Sequence, residues 1–389
     1  MAESSLCCRF CQTRPQAATR PHSLPGVTEN AGDWRRIRGR CHSPRDFGAD
    51  LLRFQQEGAA RGPYYSGGMT WLVTGGAGYI GAHVVRALQD AGIPALVLDD
   101  LSSGHASFLA PGTPFILGSI LDGAQLLEAI DEHEVTGVIH VAGFKYAGVS
   151  VQRPLHTYEQ NVTGTAVLLA AMQDRGVDRI VFSSSAAVYG TPDVDIVTED
   201  TPKNPQSPYG ESKLIGEWLL RDQAIASGLR HTSLRYFNVV GSGDPTIYDT
   251  SPHNLFPLVF DALVAGRTPR INGNDYPTSD GTNVRDYIHV ADLAVSHVAA
   301  AKRLDAGEPL ESAYNLGSGD GVSVGEIMST VAEVTGIPFT PEIAPRRLGD
   351  PARIVAAGDL AARDLEWRMR HSLREMVSSA WDARRSAER

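Results

Sequence analysis

Thr70-Trp71-Leu72-Val73-Thr74-Gly75-Gly76-Ala77-Gly78-Tyr79-Ile80-Gly81 is the stretch whose reading decides the fold. A mostly apolar run of five residues leads straight into a glycine cluster, and a pattern of amphipathic helix follows to about Ala91. Pro94-Ala95-Leu96-Val97-Leu98-Asp99 is then a second apolar strand, closed by an acid. Strand, glycine turn, helix and strand within about thirty residues make a βαβ unit.

Working outward, further apolar strands are expected at 114–117, 137–141, 179–183 and 231–236, with helical stretches between them. Alternation of this length predicts an α/β fold, a Rossmann-type doubly wound parallel sheet. After about Gly241 the loops lengthen and fill with Pro, Gly, Asn and Asp, as in 272–283. A helix at about 289–303 and shorter strand and helix pieces complete the chain. The expected organisation is a dinucleotide-binding domain over 69–245, with about 283–305 packing back onto it, and a smaller C-terminal α/β substrate-binding lobe over 246–389.

The chain has 389 residues, enough for a sizeable core, and a net charge of −10 that argues against a general nucleic-acid or anionic-membrane binder. No run approaches the ~18 apolar residues of a membrane span. Residues 1–68 differ from the rest: ten arginines against six acids, all four cysteines, and no apolar periodicity. They read as a disordered or non-native extension, with Met69 as the expected natural start. Cys7-Cys8-x-x-Cys11 with Cys41 lacks the second ligand pair a metal site needs, so no metal is expected. The cysteine-free body suits a cytoplasmic protein.

Gly75-x-x-Gly78-x-x-Gly81 is one residue longer at its first step than the usual dinucleotide fingerprint, but it sits between a strand and a helix, the context that gives it meaning. Glycine permits the tight turn and lets backbone N–H groups reach a pyrophosphate at the helix N-terminus. Asp99 ends the second strand 18 residues after Gly81, where an acid accepts the adenosine ribose hydroxyls. Asp100 follows with no arginine beside it, so a 2′-phosphate would be repelled and the expected cofactor is NAD.

Tyr209-Gly210-Glu211-Ser212-Lys213 supplies a base. Residues four apart share a helix face, so the phenol and the ammonium can enter one pocket. A free phenol has a pKa of about 10, and a neighbouring cation lowers it toward neutrality. Only four of the 35 basic residues are lysines, and two of them, Lys145 and Lys213, fall inside motifs. An arginine-biased composition explains that scarcity equally well. Ser183-Ser184-Ser185 closes an apolar strand at the edge that faces the ligand crevice, and Ser185 can hydrogen-bond a reacting oxygen.

With these residues in hand, the chain from about Met69 onward resembles the extended short-chain dehydrogenase/reductases, and within them the UDP-glucose 4-epimerase family. The glycine and Tyr/Lys motifs mark the superfamily. Gly273-Asn274-Asp275-Tyr276-Pro277 followed by Val284-Arg285-Asp286-Tyr287-Ile288-His289 is specific to the epimerases. Further stretches are 138–145, 183–190 and 234–238. The resemblance implies interconversion of UDP-galactose and UDP-glucose through a 4-keto intermediate with NAD tightly bound. In it Tyr209 is the base, Lys213 holds the nicotinamide ribose and lowers the Tyr209 pKa, and Ser185 assists the proton transfer. Cofactor contacts are implied for Tyr79, Ile80 and Ile120, for Val141, Ala142 and Gly143, and for Lys145, Asn161, Ser183 and Tyr236. Ser185, Asn238, Asn254, Leu255, Arg285, Arg347 and Asp350 are implied to hold the UDP-sugar. It also implies a homodimer formed through two helices per subunit, here 155–172 and 209–226.

Three positions depart from the pattern. Ser119 stands where an acid that reads the adenine is usual, Asn272 replaces an aromatic that stacks on uracil, and Ile354 replaces a tyrosine that closes the sugar pocket. The last leaves N-acetylated UDP-hexosamines open as substrates, and a UDP-pentose is open too. A 4,6-dehydratase would need an acid pair where Ala186 and Ala187 stand. A non-catalytic NAD-binding regulator would have no need of Tyr209, Lys213 and Ser185 together.

Overall fold

The computed structural model describes residues 69–347 and 350–387; the expectations for residues 1–68 lie outside the described residues. The elements that build the site are β1 (Thr70–Thr74), α1 (Tyr79–Asp90), β2 (Ala95–Asp99), β3 (Phe115–Leu117), α2 (Gly123–Glu132) and β4 (Val135–His140). They continue with α3 (Gly164–Asp174), β5 (Arg179–Ser185), α4 (Pro208–Ser227), β6 (Arg230–Tyr236), α5 (Val290–Asp305) and β7 (Ala313–Leu316).

Among the described residues the main sheet has seven strands in the order β7-β6-β5-β4-β1-β2-β3, and every pairing is parallel. Side chains alternate between the faces of a strand, and every residue of β1 is buried, so both faces must be covered. Trp71 and Val73 point to the face packed by Val84, Val85 and Leu88 of α1 and Leu293 and Val298 of α5. Leu72 points to the other, packed by Leu126 of α2, Leu168 and Met172 of α3 and Leu220 of α4. The chain is thus a Rossmann-type doubly wound sheet.

A separate core joins the helices Leu255–Val264, Val324–Thr335 and Leu373–Ser386 through Phe256, Phe260, Ile327, Val331 and Trp381. The last two helices open with capping boxes, Ser323 with Glu326 and Ser372 with Glu375. Strand Asn238–Val240, leading out of the main sheet, pairs in parallel with Tyr287–His289, which leads into α5. The lobe therefore grows from the carboxyl edge of the sheet.

Two features were not legible at the sequence level. The seventh sheet strand, β7, comes from the stretch assigned to the lobe; Ala313-Tyr314-Asn315-Leu316 is too short to show a period, and its pairing with β6 makes it a strand. The helix leading into α3 begins at Pro154 and passes through a π-helical turn at Glu159–Thr163. That extra residue per turn re-aims Asn161.

Candidate active site

The strand order reverses about β1, which pairs β2 on one side and β4 on the other, so the loops that follow part and leave a crevice. A cavity of about 590 Å³ lies there. One end is formed by the glycine turn. Gly75 has φ +70°, and a Cβ on it would come within 2.7 Å of the Ala142 nitrogen. On Gly81 a Cβ would come within 2.0 Å of the Gly75 carbonyl oxygen. Both glycines are therefore demanded by close backbone approach. Gly78 differs: an added Cβ would meet only the Gly75 oxygen, at 3.3 Å. Gly78 is the N-cap of α1 and provides no side-chain cap, and Tyr79, Ile80 and Gly81 of the first turn line the cavity with it.

Asp99 sits beside this turn at the end of β2, lining the cavity. Its Oδ2 accepts from the Ala77 N–H at 3.0 Å and its Oδ1 from the Leu101 N–H at 2.8 Å. Each oxygen has one donor and keeps acceptor capacity. Burial pushes its pKa up, against the pull of those donors and of Lys145. A bare helix N-terminus for a pyrophosphate and a buried carboxylate for ribose hydroxyls fit a dinucleotide.

Ile120, Val141 and Ala142 form apolar walls, and Gly143 and Lys145 line the cavity beyond them. Burial lowers the Lys145 pKa, with Asp249 and Asp99 opposing. Asn161, implied to touch the cofactor, does not line the cavity. Its Oδ1 accepts from the Phe144 N–H at 2.6 Å, and its Nδ2 donates to the Phe144 carbonyl at 3.0 Å and to Ser212 Oγ at 2.8 Å. It clamps the 143–144 loop to α4, because the π-helical turn carries its amide to that backbone.

The chemical groups lie at the far end. Ser207 caps α4 by accepting from the Gly210 N–H, Pro208 occupies the first turn, and Gly228 ends the helix at φ +77°. The register set by this cap brings Tyr209 and Lys213 to one face, where both line the cavity. Lys213 Nζ donates to the Ser183 carbonyl at 2.8 Å and stands 4.9 Å over the Phe182 ring. Burial lowers its pKa to about 8, with Glu217 opposing. Burial also raises the Tyr209 pKa, and the hydrogen bond from Ser185 is the opposing influence. Desolvation is thus the larger influence on the phenol and Ser185 the one that opposes it.

Behind this pair, His297 is buried and neutral, its pKa lowered to about 4 by burial. Its Nδ1 lies 2.9 Å from the Leu293 carbonyl and must donate to it, so Nε2 accepts from Ser183 Oγ at 2.9 Å. Ser183 in turn is hydrogen-bonded to Tyr236, which lines the cavity. Ser183 and Ser185 therefore act from behind the wall.

Of the positions implied to hold the UDP-sugar, Asn238, Asn254 and Leu255 line the cavity. Arg285 and Asp350 are not among its walls: Arg285 donates to the Val284 and Pro351 carbonyls and lies 3.7 Å from Asp350. Arg347 is exposed, against the Asn272 amide, whose oxygen accepts from Arg347 Nε at 3.2 Å in the orientation that satisfies both. Sequence reasoning missed Asp249, which lines the cavity, accepts from Asn254 Nδ2 at 2.7 Å, and faces Lys145. Its loop offers no period that could have marked it.

The Lys213 shift has a measurable consequence. Between about pH 8 and 10.5 the folded lysine holds fewer protons than the unfolded one, so its contribution makes stability rise with pH across that window. Below it the buried ammonium costs up to about 3 kcal/mol. Lys213→Met is expected to flatten that rise and to raise the urea midpoint at pH 7. Urea melts of both proteins at several pH values check this, and a slope the variant leaves intact would contradict it.

The sequence profile of the NAD dependent epimerase/dehydratase family matches residues 71–317. The chain belongs to that family. It is 44% identical over 321 residues to the UDP-glucose 4-epimerase of Halalkalibacterium halodurans, an alignment spanning 81% of this chain and 95% of the relative. The UDP-glucose 4-epimerase of Stenotrophomonas maltophila, crystallised with NAD and formylated UDP-arabinopyranose, superposes with a TM-score of 0.78 at 38% identity, covering 82% of this chain and 99% of its own. The UDP-glucose 4-epimerase of Bifidobacterium longum in complex with NAD+ and UDP superposes with a TM-score of 0.76 at 36% identity, covering 82% and 99%. Membership makes this an NAD-dependent enzyme. Among the described residues, no helix is long and apolar enough to cross a membrane, and no cluster of metal-ligating side chains occurs.

Proposed function

We propose that the protein is an isomerase that interconverts UDP-galactose and UDP-glucose by transient oxidation at C4. The observation that carries the reading is one cavity with the glycine turn and Asp99 at one end and the Tyr209–Lys213 pair, backed by Ser185, at the other. Bound NAD supplies the hydride acceptor at C4 and is restored within each turnover. Gly75, Gly78 and Gly81 would hold its pyrophosphate and Asp99 its ribose, while Lys145 and Tyr236 line its path. Tyr209 takes the proton of the 4-hydroxyl and returns it after the 4-keto sugar has turned over. Ser185, bonded to the phenol, holds the same oxygen, and the Lys213 ammonium favours the phenolate. Asn238, Asn254 and Leu255, which line the cavity, position the nucleotide. The division of labour is a cofactor domain over 69–245, to which α5 and β7 return, and a UDP-sugar lobe made by the rest of 246–389.

The test is to incubate the full chain with UDP-galactose and no added NAD. UDP-glucose should form, and acid should release NAD from the purified protein. Bound NAD without turnover would move the substrate to UDP-N-acetylgalactosamine, a second reading favoured by Ile354, which packs beside Val188, Tyr189 and Val197 at the position where some relatives carry a tyrosine. Neither NAD nor turnover would remove the proposal.

The protein is further proposed to be a cytoplasmic homodimer paired through the helices around 155–172 and 209–226. Leu155 and Ile225 are 83% and 82% exposed, and Trp218 is 46% exposed. Leu155→Asp with Ile225→Asp is expected to turn a dimer into a monomer in sedimentation; a wild-type monomer would remove the claim.

A further inference from the structure

Tyr209, Lys213 and Glu217 follow one another at four-residue steps along α4, so they share a face. The third member is an acid that the reaction as described does not use, and it is 9% exposed. Its Oε1 accepts from Ser184 Oγ at 2.6 Å and from Arg235 Nε at 2.8 Å, and its Oε2 accepts from Arg235 Nη2 at 2.6 Å. Arg235, also buried, donates through Nη1 to the Tyr189 hydroxyl at 2.8 Å, which donates to Asn315 at 2.7 Å. One carboxylate thus ties three elements of the site together: α4 with its reacting pair, the serine end of β5, and β6 just before Tyr236.

We infer that Glu217 is a positioning residue for the reaction: by fastening α4 to Ser184 of β5 and to Arg235 of β6 it keeps Lys213 on the Ser183 carbonyl beside Tyr209. The inference rests on the reading of Tyr209 and Lys213 as the reacting pair.

The groups that face Lys213 from the packed elements support it. His140 of β4 is buried and neutral, its pKa lowered to about 3 by burial and then by Lys213 itself. His297 of α5, bonded to the serine whose carbonyl Lys213 holds, is neutral as well. Tyr209 and Tyr236 are held protonated by burial. Lys203, also near Arg235 and Glu217, donates to the Glu199 carbonyl. Glu217 is the carboxylate that opposes the loss of the Lys213 proton. Because Arg235 grips it as a bidentate fork, the carboxylate stays on Ser184, next to the Ser183 carbonyl that Lys213 holds. Lys213 Nζ therefore remains on the Ser183 carbonyl, turned toward the cavity.

The test is a titration of Lys213 in the full chain grown with 13C-lysine, whose four lysines give a short spectrum. In Glu217→Gln the Lys213 midpoint is expected to fall by about one pH unit, the low end of the effect of an opposite charge. The alkaline limb of kcat should move acid-ward by the same amount while KM holds. Glu217→Asp, which keeps the charge one methylene back, should show a smaller shift of the same sign and serves if the Gln variant does not fold. A lowered melting temperature with an unmoved Lys213 titration in the folded variant would overturn the inference. The titration needs no turnover, so its failure is distinct from a failure of the epimerase reading.

Discussion

Tyr209→Phe is expected to lower kcat for the UDP-galactose reaction by about 10²- to 10⁴-fold, the range supplied by a positioned acid–base group. The change removes one oxygen. The ring still fills the cavity wall, the cap at Ser207 is untouched, and Lys213 keeps its bond to the Ser183 carbonyl. Cofactor content after purification and the melting temperature should therefore stay near wild type while turnover collapses. Ser185 loses the partner through which it reaches the substrate oxygen, so adding Ser185→Ala to the variant should cost little more. Rates measured with wild-type and variant proteins at equal bound NAD decide the point. A variant that keeps more than about a tenth of wild-type turnover would take the proton-transfer role from Tyr209.

Gly81→Ala is expected to have the other large effect, on the fold of the cofactor site. The added Cβ would sit 2.0 Å from the Gly75 oxygen and 2.8 Å from both the Gly75 carbonyl carbon and Gly76 Cα. These are backbone atoms of the turn, so no side chain can give way. Either α1 lifts off β1 or the turn opens, and a cost of about 3 kcal/mol or more follows, the upper range for overpacking. The protein should emerge with a lowered melting temperature and without NAD. Gly78→Ala is the contrast, because its Cβ would meet one atom at 3.3 Å. It should fold nearly as wild type yet retain less cofactor, since the methyl group enters the space where the helix N-terminus meets the pyrophosphate. Thermal melts and NAD content of both variants test the pair; equal losses of stability would contradict the packing argument.

Much of this was legible before any coordinates. Alternating strands and helices announced the doubly wound sheet because apolar periodicity records which faces are buried. Asp99 could be placed beside the turn because a short βαβ unit leaves its second strand little freedom. The misses share a cause. β7 is four residues long and owes its place to β6. Asn161 was expected against the cofactor and instead holds the Phe144 backbone, a consequence of one π-helical turn. Arg285 and Asp350 pair with each other beside their own loop, away from the cavity walls. Burial moves the pKa values of Tyr209 up and of Lys213 down, and spacing along a helix carries no sign of that.

What the sequence by itself determined is local: the glycine turn between β1 and α1, and the shared face of Tyr209 and Lys213 on α4. Spacing along a helix or through a tight turn is also spacing in space, so such groups are placed by backbone geometry alone. Only the tertiary structure decided the electrostatics. Ser183, Ser184 and Arg235 reach α4 from strands whose positions depend on the whole sheet, and burial beneath both layers sets the cost of every charge there. A buried charge persists where long-range partners meet it, and those partners are chosen by the packing of the whole domain.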